Sequence, residues 1–304
     1  MLSDDVARYV ALQRRLGLRF DTQKRLLELY ASFAEVHGDR YTRSSRIRDW
    51  CATASTPDQA RIRFDTVRRF SVFLNAEDPS HEIPPANAFG RGKRPRPAPY
   101  ILETDQIRAI MQAALDLPPK GTITPHTYHY LFGLLAATGL RISEALGLQW
   151  DDLTGDGLVV QHGKFGKSRL VPIHPTTRRA LGSYLTIRQR LGGGGNDLFV
   201  VTTGRPPHKT TAYVVFVRLA RQLGFRGPPG TPGPRLHDLR HTFAARSLEG
   251  CAHDRQQVAH HMASLSAYLG HADIANTYWY LQATPVLMRG IAEANERLFG
   301  GGAA

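Results

Sequence analysis

Along the first 75 residues, hydrophobic positions recur with a helical period and not with the alternation of a strand. Ser3, Asp4 and Asp5 suit a helix start, with acids near the positive end of the helix dipole. Val6, Val10, Leu12 and Leu16 then repeat at near-helical spacing until Gly17 stops the run. A second helix is predicted over about 21–37, with Leu26, Leu27, Tyr30 and Phe33 on one side, and a short third over about 44–54. The fourth, about 58–74, takes Ile62, Val67, Phe70 and Phe73 or Leu74 as its buried stripe.

Pro79, Pro84, Pro85, Pro95, Pro97 and Pro99 then break any regular element, so a semi-extended linker is expected over 79–100. It separates a helical domain, 1–78, from a second domain, 101–304. There, helices are expected over about 104–115 and 127–138, followed by a helix–turn–helix step around Ser143. Leu158–Gln161 and Arg169–Ile173 read as two strands joined by a glycine-bearing hairpin turn, and Leu198–Val201 as a further short strand. Helices over 175–191 and 211–223 and a final one over 285–299 complete a mainly α chain with a small β-sheet.

Composition narrows the partners. The 304 residues are enough for two cores, and a hydrophobic share of 42% is that of an ordinary globular protein. Lys and Arg exceed Asp and Glu by 39 to 26, a net charge of +13, and the excess is shared by both halves of the chain. That balance favours a polyanionic partner, nucleic acid first, with a ribosomal or membrane surface as the other fits. Arg61, Arg63, Arg68 and Arg69 on the fourth helix, and Arg91, Lys93, Arg94 and Arg96 in the linker, are candidate phosphate contacts. A solvated helix face and a solubilising hinge are the plainer alternatives. Two cysteines, Cys51 and Cys251, exclude a disulfide scaffold or a Cys-rich zinc site. With no leader-like N-terminus and no apolar span, a cytoplasmic location is expected. The glycines 192–195 lack the ending of a nucleotide-binding loop, so nucleotide hydrolysis has no support.

The candidate chemistry lies between His237 and Tyr280. His237-Asp238-Leu239-Arg240-His241, Leu269-Gly270-His271 and Thr277-Tyr278-Trp279-Tyr280 supply cations and imidazoles suited to a phosphate, and phenols that could attack one. With Thr138-Gly139-Leu140-Arg141-Ile142-Ser143-Glu144 and Gly163-Lys164 ahead of them, these motifs resemble the tyrosine recombinase (phage integrase) family. The resemblance covers 101 to about 299, and the helical first domain resembles that family's core-binding domain. It implies a two-domain clamp around double-stranded DNA and strand cleavage and rejoining through a 3′-phosphotyrosyl intermediate, with neither metal nor nucleotide. The aromatic run around Tyr280 resembles recombinases carried on mobile elements.

The chemistry explains the residue types. In-line attack spreads negative charge over the non-bridging oxygens, and guanidiniums, charged at every relevant pH, can clamp them bidentately. Arg141 and Arg240 match that role, although Arg141 alone could be a surface salt bridge to Glu144. Matching the family spacing selects Tyr280 over Tyr278 as nucleophile, Lys164 over Lys167 as general acid for the 5′-oxygen, and His237 and His271 as phosphate or proton ligands. His241 reads as a buried structural neighbour and Glu144 as an orienting group. The segment between Arg240 and Leu269 is longer than usual for the family. Its His253, His260 and His261 lack the partners of a zinc site, so a surface loop or helix is expected there.

The resulting expectation is a site-specific recombinase acting in integration, excision or transposition. It would assemble on DNA as a homo-oligomer, a tetramer, through the C-terminal helix, or together with related recombinases, in association with the nucleoid. The alternatives are a non-cleaving DNA-binding accessory protein of the same fold and a type IB topoisomerase-like relaxing enzyme.

Overall fold

The computed structural model describes residues 1–88, 99–161, 168–250 and 255–271, together with 273, 277 and 280. It divides the chain into two compact units, Met1–Arg96 and Pro97–Ala304. The hairpin residues 162–167, the linker cations Arg91, Lys93, Arg94 and Arg96, and the C-terminal helix expected over 285–299 lie outside the described residues.

In the first unit, α1 (Leu2–Arg15), α2 (Asp21–Val36), α3 (Ser44–Ala52) and α4 (Pro57–Asn75) enclose one core. Leu27, Tyr30, Ile47, Trp50, Phe64, Val67 and Phe70 fill it. The start of α4 follows from sequence: the Thr56 hydroxyl accepts from Gln59 N at 3.2 Å and Pro57 takes the first turn. The stripe of α4 differs from the one expected. Ala60, Phe64, Val67, Ser71 and Leu74, three or four residues apart, are buried, while Ile62 is 55% exposed. Two residues from Phe64 on a helix, Ile62 cannot share its face. For the same reason Leu12 of α1, two residues from Val10, points outward, Leu16 lies exposed just past the helix end, and Leu2, Val6, Tyr9 and Val10 point inward. The first residues of the expected linker also belong to this unit. Glu82 N donates to Thr42 O at 2.8 Å, its carboxylate accepts from Ser44 N, and Thr42 N donates to His81 Nδ1.

In the second unit, α5 (Thr104–Ala114), α8 (Pro175–Leu191) and α10 (Asp238–Glu249) pack on α6 (Ile123–Thr138). Leu131, Phe132, Leu134 and Leu135 of α6 are all buried, so it is apolar around most of its circumference and central. The short α7 (Ile142–Leu146) follows, then the antiparallel pair β1 (Leu158–Val160) and β2 (Arg169–Val171), with Val160 opposite Arg169. The helices α9 (Lys209–Gln222) and α11 (Arg255–Leu269) complete the described elements. Residues 198–201 do not form the expected strand. Leu198, Phe199 and Val200 are fully buried, but Leu198 N donates to Leu148 O, and Val200 O accepts the Thr127 hydroxyl. The apolar run marked burial, and among the described residues its pairing stops at an isolated antiparallel bridge between Gln149 and Asp197. Among the described residues no helix is long and apolar enough to cross a membrane.

Candidate active site

The site is built where α6 ends and α7 begins. Gly139 closes α6 in the left-handed conformation, φ 62°, with its N–H on Leu135 O, and the chain reverses into Arg141. A side chain at 139 would meet Phe243 Cδ1 at 2.5 Å, so glycine is required twice over. Arg141 is the N-cap of α7, and the Glu144 carboxylate accepts from its N at 2.9 Å and its Nη1 at 2.8 Å. The salt bridge expected as the plain reading of Arg141 is therefore present. It is not a surface pair, because the Glu144 side chain is only 6% exposed.

The start of α10 supplies the next groups. Asp238 is fully buried, and its carboxylate accepts from Arg235 N, Nε and Nη2, which ties the incoming loop to the first turn. His237 caps that turn, Arg240 N donates to His237 O, and the His237 and His241 rings meet edge-on with centroids 4.5 Å apart. Arg240 is buried and donates through Nη1 to Gly139 O at 2.6 Å and through Nη2 to Leu269 O at 2.8 Å.

The C-terminus of α11 gathers the arginines. Gly270, φ 66°, and His271 form a Schellman cap, His271 N donating to Ser266 O and Gly270 N to Ala267 O. The carbonyls beyond those two are taken by guanidiniums: Tyr268 O by Arg169 Nε, Leu269 O by Arg141 and Arg240, and Gly270 O by Arg141 Nη2. Three cations at the negative end of a helix dipole are electrostatically favourable, and every terminal carbonyl is satisfied. The cap also fixes His271 as the residue immediately past the helix, where its Nδ1 lies 2.8 Å from Thr277 Oγ1.

Tyr280 closes the cluster. It is 3% exposed, packs with Ala244, Leu248, Met262, Leu265 and Leu269, and stacks on His271 with ring centroids 6.1 Å apart. Its hydroxyl lies 3.2 Å from His241 Nδ1. Asp238 Oδ1 is 3.9 Å from the other His241 nitrogen, which favours a proton on Nε2 and leaves Nδ1 to accept from the phenol. Beside Arg240 and His237, a cleft of about 270 Å³ is bordered by Lys209, Thr210 and Tyr213 of α9 and by Leu135, Leu140, Ile142 and Leu236.

Burial and mutual repulsion set the charges. Burial first, then Arg240, lowers the pKa of His237; burial and Arg240 hold His271 at about 4. Burial and His237 push His241 to about 3, so all three imidazoles are neutral at pH 7. Burial and the neighbouring Arg141 depress Arg240 to about 10, still charged at neutral pH. For Glu144 burial acts upward, but the bonds from Arg169 and Arg141 outweigh it and keep the carboxylate ionised. The outcome is a cationic, largely desolvated cluster around one phenol, an arrangement that can bind a phosphate and stabilise charge developing on it.

The structure thus brings Arg141, His237, Arg240, His271 and Tyr280 together, while Lys164 and Tyr278 lie outside the described residues. Arg169 escaped the sequence reading, and His241, expected as a buried structural neighbour, is buried as expected but has a contact that was not foreseen. His241 touches the phenol, and its spacing from His237 and Asp238 on one helix was the available signal. Arg169 forms a bidentate pair with Glu144 at 3.1 and 2.9 Å. Its signal was strand parity: Leu170 points outward and Val171 inward, so Arg169 is an inward-facing cation. Of the α4 arginines, Arg63 donates to Trp50 O and Thr53 Oγ1 and lies over the Trp50 ring, Arg68 donates to Pro84 O, Arg61 is half-buried, and Arg69 is exposed. In α11, His261 bonds Ser247 and His260 is exposed, whereas His253 lies outside the described residues.

Comparison with known proteins places these features in context. The model of the phage integrase family matches residues 101–285. A Sinorhizobium fredii protein with the provisional name integrase/recombinase y4rB is 35% identical over 96% of this chain and 95% of its own length. Among solved structures, the Tn1549 transposon integrase in complex with transposon right end DNA superposes with a TM-score of 0.68 at 18% identity. It covers 96% of this chain and 98% of that one. A lambda integrase tetramer bound to a Holliday junction gives 0.64 at 17%, over 92% and 76%. At those identities the structural matches speak for the fold.

Proposed function

The chain belongs to the phage integrase family and is a tyrosine-type site-specific recombinase, and from that premise we propose that Tyr280 is its nucleophile toward a DNA phosphodiester. The observation that carries this reading is the single cluster of Tyr280, Arg141, Arg240, His237 and His271, assembled from three helix ends.

In this scheme Arg141 and Arg240 hold the non-bridging oxygens, assisted by His271 and His237. Removing one guanidinium would raise the barrier by about 3–4 kcal/mol, as for a lost oxyanion donor. Tyr280 Oη bonds to phosphorus as the bond to the 5′-oxygen breaks. The phenol proton leaves to a neighbouring imidazole, and Lys164 protonates the 5′-oxygen. Rejoining to a partner strand reverses the step, so neither metal nor nucleotide is needed for balance.

The partner is then double-stranded DNA, contacted by Arg69, with Arg61 and Arg68 beside it on α4, and by Arg91, Lys93, Arg94 and Arg96, whereas Arg63 is held by Trp50 and Thr53. The first unit acts as the core-binding domain and the second as the catalytic one. Assembly on DNA as a homo-oligomer accords with the lambda integrase tetramer among its structural neighbours; the form proposed is a tetramer joined through the C-terminal helix, or a mixed complex with related recombinases. The protein acts on cytoplasmic DNA.

The test uses a nicked duplex carrying the protein's own site, labelled at either end. A denaturant-stable adduct on the 3′-phosphate side, followed by strand exchange between two sites, is expected. Relaxation of supercoils without exchange would favour a topoisomerase, and no adduct would leave a binding protein only.

A further inference from the structure

Resting on that reading, we propose that Arg169 is a positioning residue for strand cleavage, holding Arg141 through a shared carboxylate and a shared helix end. Arg169 is not one of the phosphate ligands assigned above. It lies at the start of β2, with its side chain 17% exposed, and spends its donors inside the protein. Nη1 and Nη2 grip the two oxygens of Glu144, and Nε donates to Tyr268 O at 2.9 Å. The same Glu144 oxygens accept from Arg141, and the next carbonyls along, at 269 and 270, accept from Arg141 as well. Two arginines thus share two anchors, one side chain and one helix terminus.

Geometry and charge both depend on this. A bidentate guanidinium–carboxylate pair fixes the plane of Glu144, and with it the direction in which Arg141 is held. Without Arg169 the carboxylate would still hold Arg141 and could turn to take more of its donors away from a phosphate. Arg169 also packs against Gly270: a side chain there would come within 2.8 Å of Nη1 and 2.9 Å of Cζ. The turn that sets His271 in place is therefore shaped around this guanidinium. In charge, Glu144 offsets one of Arg141, Arg169 and Arg240, leaving two net positive charges beside neutral imidazoles. Loss of Arg169 removes one of those two net charges from the cluster in which negative charge develops in the transition state.

The experiment measures single-turnover cleavage of a nicked suicide duplex at saturating DNA by wild type, Arg169→Ala and Arg169→Lys. Each is run on an ordinary phosphodiester and on a methylphosphonate, in which one charged oxygen is replaced by an uncharged methyl group. The expected result for Arg169→Ala is a rate loss of roughly 10–100-fold on the phosphodiester, with DNA affinity within about threefold of wild type. That loss should shrink several-fold on the methylphosphonate, where less charge must be neutralised. Arg169→Lys, which restores a cation without the planar fork, should recover part of the rate. An equal loss on both substrates, an unchanged rate, or a defect wholly in affinity would overturn the proposal. Should Arg169→Ala fail to fold, the same substrate comparison is read from Arg169→Lys. Absence of a wild-type adduct would instead refute the cleavage reading itself.

Discussion

His241 offers a quantitative handle on the desolvated interior of the site. It is 8% exposed, accepts from the Tyr280 hydroxyl through Nδ1, and is held at a pKa of about 3 by burial, then by His237, Arg235 and Arg240. Of the carboxylates, Asp238 faces it at 3.9 Å. The folded pKa lies below the unfolded value of about 6.5, so between those values the unfolded chain binds the extra proton. Stability is then full above the unfolded pKa and falls as the pH drops below it. From pH 7 to pH 5 a single such histidine costs about 2 kcal/mol, because the full linkage slope of about 1.4 kcal/mol per pH unit applies only over the roughly 1.5 units below the unfolded pKa. The perturbation that isolates it is His241→Asn, which keeps an acceptor near the position of Nδ1 but cannot titrate. Urea unfolding of the full chain at pH 7 and pH 5 should show wild type losing about 2 kcal/mol more than the variant over this interval. At a denaturant slope of about 2 kcal/mol/M that is a difference of roughly 1 M in the midpoint shift. Equal pH dependence in the two proteins would refute a buried, neutral His241.

Three further outcomes follow from the same geometry. Glu144→Gln leaves Arg141 and Arg169 without their buried carboxylate, so stability should fall by about 3 kcal/mol and cleavage should slow, read by urea unfolding and the suicide duplex. Gly139→Ala places a methyl group 2.5 Å from Phe243 Cδ1 at φ 62°, and thermal unfolding should show about 2–4 kcal/mol of destabilisation. In the first unit, Arg69→Ala should reduce the slope of log affinity against log salt by about 1, whereas Arg63→Ala should lower stability by about 1–2 kcal/mol and leave that slope unchanged, because its donors serve Trp50 and Thr53.

Which parts of this were legible in the sequence follows from where each residue acts. Arg141, His237, Arg240, His271 and Tyr280 stood out by matching the family's motifs and spacing, and for the first four the local geometry is short-range: a left-handed glycine before a helix start, a three-residue step on one helix turn, a glycine cap before a histidine. Arg169 was not legible, and of His241 the burial was legible but the contact was not, since each works through a partner distant in sequence, Glu144 in one case and Tyr280 in the other. Periodicity placed the helices of both units well, yet misassigned Ile62 and Leu12, because an apolar residue two positions off the stripe is indistinguishable from one on it until the neighbouring helix is known, and Leu16, because the helix ends one residue before it. The run 198–201 was misread as a strand for a related reason, burial alone not fixing hydrogen-bond partners. The hairpin lysine, the linker cations and the C-terminal helix lie outside the described residues.

The most direct measurement of the central claim is adduct formation on a nicked suicide duplex by wild type and Tyr280→Phe, with DNA affinity and unfolding midpoint measured on both. The account predicts a denaturant-stable 3′-phosphotyrosyl adduct with wild type, none with Tyr280→Phe, and binding of both to the site with similar affinity. An undiminished adduct with Tyr280→Phe would contradict it and move the nucleophile, with Tyr278 the first residue to test.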